Sequence, residues 1–102
     1  MNAKKPLEKG IEKNAVSYAE SCGWMHRKLD KGPGERAWPD HLFLGHGGQV
    51  FLVEFKRVGE GPRPQQLKRH RDLRALGFPV AVVSNFKVFQ ILFDRIAKEN
   101  TA

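Results

Sequence analysis

The run Asp40-His41-Leu42-Phe43-Leu44-Gly45-His46-Gly47-Gly48-Gln49-Val50-Phe51-Leu52-Val53-Glu54-Phe55-Lys56 decides the fold. Residues 40–44 and 50–56 read as two strands, and the glycine-rich link between them reads as the turn of a β-hairpin. With Gly45 and Gln49 closing a three-residue loop, Asp40 lies directly opposite Glu54, where Cβ atoms are ~4.5–5.5 Å apart. Two like charges in that position repel, so something cationic is expected beside them. A divalent metal held by both carboxylates is the natural counterpart, and oxygen-only ligands suit Mg2+ or Mn2+. Side chains alternate along a strand, so Glu54 and Lys56 share a face, Phe55 enters the core, and His41 turns away from Asp40. The apolar flanks Val50, Phe51, Leu52, Val53 and Phe55 make this a central strand, in which glutamate and lysine are unusual guests. The plainer alternative is a Glu54–Lys56 ion pair at the sheet end, with Asp40 only capping a turn. The three residues taken together favour a site with chemistry.

Working outward, residues 8–22 carry Ile11, Ala15, Tyr18, Ala19 and Cys22 at the spacing of one buried helical face, and Gly23 is a natural stop. Residues 24–29 read as a first strand, followed by the polar loop 30–35 with its two glycines and a proline. Downstream, residues 59–64 break regular structure. Residues 65–76 read as a second helix ended by Gly77, and residues 80–83 as a short buried strand. Ser84 or Asn85 caps a last helix with a stripe of Val88, Phe89, Leu92, Phe93 and Ile96. The order α-β-β-β-α-β-α predicts an α/β sandwich with a mixed sheet. A length of 102 residues at 40% hydrophobic fits one domain over residues 1–102.

Lys and Arg total 18 against 11 Asp and Glu, for a formal net charge of +7. That excess predicts a polyanionic partner, nucleic acid before an acidic membrane surface. Most of it lies in residues 56–74, where Lys56, Arg57, Arg63, Lys68, Arg69, Arg71 and Arg74 are opposed by Glu60 and Asp72 alone. A solvated helix face and a phosphate-contacting surface both look like this, and charge does not choose between them. The single cysteine, Cys22, cannot form an internal disulfide; it lies on the apolar helix face and reads as core. No apolar run reaches the ~18–20 residues of a membrane span, and Met1-Asn2-Ala3-Lys4-Lys5-Pro6 is not followed by an apolar signal segment. A soluble cytoplasmic protein with no membrane partner is therefore expected. His26, His41, His46 and His70 lack zinc spacing. Trp24 and Trp38 are suited to packing first and to base stacking second.

Pro39-Asp40 followed, after a hairpin, by Glu54-Phe55-Lys56 resembles the Pro-Asp…(Asp/Glu)-X-Lys nuclease signature. Glu12 on the first helix, the glycine-rich loop before Pro39-Asp40, and Arg63-Pro64-Gln65-Gln66 before a helix ending in Leu76-Gly77 look like the VRR-NUC branch of that superfamily. The resemblance covers residues 7–83. Lys56 is followed by Arg57-Val58-Gly59, so the Val-Arg-Arg motif of the family name is absent. The resemblance implies a restriction-endonuclease-like αβββαβ core, its mixed sheet flanked by helices, with an extra C-terminal helix. It implies Mg2+ (or Mn2+) held by Asp40, Glu54 and the Phe55 carbonyl, with Lys56 as the catalytic cation. Glu12 matches a helix-1 glutamate that joins the site, though a solvent-exposed helical residue would look the same. Gln66 matches a glutamine that positions the lysine or the phosphate, and equally fits a polar helix start. Lys28, Arg57, Arg63, Lys68 and Arg69 are the candidate substrate contacts.

Stand-alone members of the family resemble virus-encoded or bacterial homodimers acting on branched DNA such as Holliday junctions. Phe86, Val88, Phe89, Ile91, Leu92 and Phe93 give the last helix apolar residues on more than one face, which suits a dimer contact or a buried helix. The implied activity is a metal-dependent structure-specific endonuclease. A nuclease for flaps, nicks or linear duplex is the alternative within that class, and a non-catalytic nucleic-acid-binding module is the alternative outside it.

Overall fold

The computed structural model describes residues 8–29, 32 and 36–99. Helix α1 (Glu8–Ser21) is followed by strands β1 (Met25–Lys28), β2 (His41–Leu44) and β3 (Val50–Phe55). Helix α2 (Pro64–Ala75), strand β4 (Val80–Val83) and helix α3 (Phe86–Glu99) complete the chain. Loop 30–35 lies outside the described residues apart from Gly32. The sheet order is β1-β2-β3-β4, with an antiparallel meander of three strands and β4 parallel to β3. A parallel neighbour requires a crossover, and α2 supplies it. Among the described residues no helix is long and apolar enough to cross a membrane.

The β2/β3 hairpin has the register read from the sequence: Leu44 pairs with Val50 and His41 with Val53. A short 3-10 turn, His46–Gly48, forms the tip, and the Gly45 N–H donates to the Gln49 carbonyl at 2.9 Å. Gly47 (φ 69°) and Gly48 (φ 78°) hold left-handed backbone there, which residues with a Cβ rarely adopt. Gly45 is needed for a different reason. A Cβ at that position would land on the Trp24 indole.

Alternation divides the sheet into two unlike faces. On one, Phe43, Phe51, Val53, Phe55 and Val83 meet Ile11, Ala15 and Ala19 of α1 and Phe89 and Phe93 of α3. Phe89 stacks on both Phe51 (5.9 Å between centroids) and Phe93 (5.6 Å), and Trp24 closes the end against Phe93 at 4.6 Å. On the other face the buried apolar set is smaller: Leu52, Val80 and Leu73 of α2, with Trp38, Leu42 and Val50 around them. Further hydrogen bonds fix the helices in place. Asn85 caps α3, its Oδ1 accepting the Val88 N–H at 2.8 Å. Arg74 donates from Nε and Nη2 to the Val80 carbonyl at 3.3 and 3.0 Å, which makes this member of the basic stretch a clamp between α2 and β4. Tyr18 Oη donates to Asp94 Oδ1 at 2.6 Å, joining α1 to α3; that bond first, and burial second, raise the phenol pKa.

Two expectations are corrected. Cys22 is exposed and lies just past α1. Its N–H bonds the Tyr18 and Ala19 carbonyls as the last turn tightens ahead of Gly23 at φ 85°, so the helical spacing no longer governs position 22. On α3, Phe89 and Phe93 form the buried line, whereas Val88 (40%) and Ile91 (49%) are exposed. The stripe places Val88 inside; one helix packed on one sheet covers only the faces that carry Phe89 and Phe93.

Candidate active site

The sheet end remote from the hairpin turn gathers the acidic residues. Asp40 immediately precedes β2, and its carbonyl accepts the Leu29 N–H at 2.7 Å, so it still lies in the β1/β2 ladder. Continuing the β2/β3 register by one residue sets Asp40 opposite Glu54. Asp40 is half-buried, and the Glu54 side chain is 2% exposed in the middle of the sheet. Two steps on, Lys56 points the same way, its Nζ 3.7 Å from Glu54 Oε2 and its side chain 20% exposed. The Lys56 N–H is held by the Val83 carbonyl at 2.9 Å, which anchors the strand where it leaves the sheet. Phe55, between them, is fully buried on the aromatic side. As donors, two carboxylates and a backbone carbonyl offer oxygen only, which suits a hard cation that keeps several waters. Among the described residues no group of three or more His, Cys, Asp or Glu side chains is arranged to hold a metal.

Helix α2 covers this face and contributes the buried Gln66 and His70. Gln66 Oε1 accepts the Arg63 N–H at 2.9 Å, which satisfies a backbone donor at the helix start. Its Nε2 donates to the Arg36 carbonyl at 3.5 Å, so one side chain ties α2 to the segment leading into Asp40.

Glu12 is held elsewhere, on the α1 side of the sheet. Its Oε1 is 3.0 Å from Nε2 of the buried His41, whose Nδ1 is 2.7 Å from Nε2 of His26. An ionised carboxylate only accepts, so His41 donates to Glu12 from Nε2. Burial first, and the neighbouring His41 second, push the His26 pKa down, in keeping with a neutral ring in that chain. Sequence reasoning missed this His26–His41–Glu12 row, although it placed His41 on the correct face. No spacing in the sequence announces it: the β1/β2 pairing sets His26 opposite Phe43, diagonal to His41.

The candidate substrate contacts scatter more widely. Lys28 is exposed on the edge strand β1, on the α1 side. Arg57 is exposed and its N–H donates to Glu60 Oε1 at 3.2 Å. Arg63 is the exposed N-cap of α2, and Lys68 pairs with Asp72 one turn on at 3.2 Å. The Arg69 guanidinium lies over the Trp38 ring, 4.9 Å from its centroid.

No family model matches the chain. A protein named "Putative nuclease p44", from Acyrthosiphon pisum secondary endosymbiont phage 1, is 39% identical over 85 residues, which covers 83% of this chain and 90% of that protein. A solved structure described as a VRR_NUC domain is similar with a TM-score of 0.77 at 33% identity, over 85% of this chain and 94% of its own. At that level of identity, across most of both chains and on one fold, the chain belongs to the VRR-NUC family of nuclease domains.

Proposed function

We propose that this nuclease domain hydrolyses phosphodiester bonds in DNA with the help of Mg2+ or Mn2+. The observation that carries the reading is Glu54: a carboxylate buried in a central strand, aligned with Asp40 and 3.7 Å from a lysine. Asp40, Glu54 and the Phe55 carbonyl are the residues that would hold the cation. When bound, it would lower the pKa of a coordinated water and oppose the charge of the scissile phosphate. Lys56 orients that water and stabilises the negative charge that grows on the phosphate. Gln66 positions the α2 start and the turn at Arg36 around the phosphate. Glu12, held by His41 on the α1 side of the sheet, is given no step in this chemistry.

The test is cleavage of plasmid and oligonucleotide DNA with Mg2+, with Mn2+ and with EDTA. Wild type is expected to cut only with metal, and Lys56→Ala to lose ~10²–10⁴-fold in rate while melting like its parent. Equal cutting by both proteins would remove Lys56 from the chemistry. No cutting by the wild type on any DNA would favour a non-catalytic binding module.

Branched DNA, including Holliday junctions, is the proposed substrate, cut by a homodimer of a chain that has one site. Exposed Val88 and Ile91 on α3 are the apolar residues available for such a contact. Side-by-side rates on junction, flap, nicked and linear DNA separate this from the other nuclease readings.

A further inference from the structure

A cleft of about 420 Å3 opens between residues 36–37 and the outer side of α2, lined by Arg36, Ala37, Gln65, Lys68, Arg69 and Asp72. That volume lies within the ~300–1,000 Å3 of small-ligand sites. Three cations line it against one carboxylate, and Lys68 already engages that carboxylate at 3.2 Å. Arg69 lines the cleft while its guanidinium rests over Trp38, so a flat cation is held in place by an aromatic floor. The walls belong to the chain that builds the active site. Ala37 is three residues ahead of Asp40, Gln65 precedes Gln66, and the Arg36 carbonyl is held by Gln66.

We propose that this cleft receives one unpaired nucleotide of the DNA strand that passes through the active site. Its base stacks against the Arg69–Trp38 pair, and its phosphate is held by Arg36 and Lys68. Unpaired bases stack well on guanidinium planes and on aromatic rings, and they do so with little regard to sequence. A base inside a duplex is enclosed by its partner and its stacked neighbours, so it does not enter a recess of this size. The cleft therefore selects DNA with an unpaired nucleotide beside the cleavage point over continuous duplex. The inference rests on the nuclease reading and names the substrate class of that same site.

Binding of the full chain is measured by fluorescence anisotropy in EDTA, where no cleavage occurs. One probe is a blunt duplex and the other is the same duplex carrying a short single-stranded arm. Wild type is expected to prefer the armed probe. Arg69→Ala is expected to lower the ratio of the two affinities on the order of tenfold. Arg69→Lys, which keeps the charge and loses the plane, is expected to lose most of the same ratio. Arg36→Ala, at an exposed position, serves should the Arg69 variants fail to fold. Equal weakening on both probes in every variant, or no preference by the wild type, overturns the proposal. Metal-dependent cutting of plasmid by the wild type is scored separately, so a protein that cuts yet shows no preference sinks the cleft and leaves the nuclease reading standing.

Discussion

The two faces of the sheet are built from opposite materials. The α1/α3 face is a closed aromatic layer in which Phe43, Phe51, Phe55, Phe89 and Phe93 touch one another in a continuous set. The α2 face has three buried apolar residues and, beside them, the buried polar Glu54, Gln66 and His70. The packed aromatic core lies on the first, and the residues proposed for the chemistry lie on the second. A carboxylate in a central strand is destabilising by itself, because desolvation disfavours its charge. The aromatic layer offsets that cost from across the same strand, since Phe55 and Val53 flank Glu54 and point the other way.

That contrast makes expectations of unequal size. The largest concerns Glu54→Gln, which is expected to lower cleavage ~10²–10⁴-fold and to leave Tm near that of the parent, because one of two opposed like charges is removed. A collapse in Tm would place Glu54 among the stabilising residues and break the contrast. Next is Phe89→Ala. Truncating a fully buried ring that touches several others costs ~3–5 kcal/mol, or more than ~10 °C in Tm for a domain of this size. A small loss in thermal melting would show that the aromatic layer is not the main source of stability.

The smallest effect is a pH slope from His26. Its folded pKa lies below the usual 6.5, so the unfolded chain takes up the proton first as pH falls. The stability held by neutral His26 is full above ~6.5 and is lost as pH drops from there towards the folded value. Tm is expected to decline as pH falls below about 6.5, and His26→Gln to flatten that decline. An unchanged slope in the variant would assign it to other groups.

Much of this was legible in the chain because it is local. Alternation and the glycine turn determine the β2/β3 register, and that register alone brings Asp40 to Glu54 and turns Lys56 to the same side. Asn85 before an apolar helix is an equally local signal for the start of α3. What stayed hidden depends on elements far apart in sequence. Glu12, His26 and His41 belong to no spacing motif and meet only when α1, β1 and β2 assemble. Cys22 misled because helical periodicity was carried one residue past the point where the helix ends. The Arg69–Trp38 pair was also invisible, since nothing in α2 announces which part of the chain its outer side will face.

The bare α-carbon at Gly45 has an effect beyond its own turn. Strand β1 reads Met25-His26-Arg27-Lys28, a run with no oily side to tell it which way to lie, and a polar edge of that kind is prone to slippage. The Trp24 ring, seated where position 45 has only a hydrogen to offer, works as a notch. Moved along by one residue, the ring would meet Leu44 or His46, and the edge would not seat. An aromatic plate and a missing methyl thus proofread the alignment of the outermost ribbon, beside the one inward bond that His26 makes to His41.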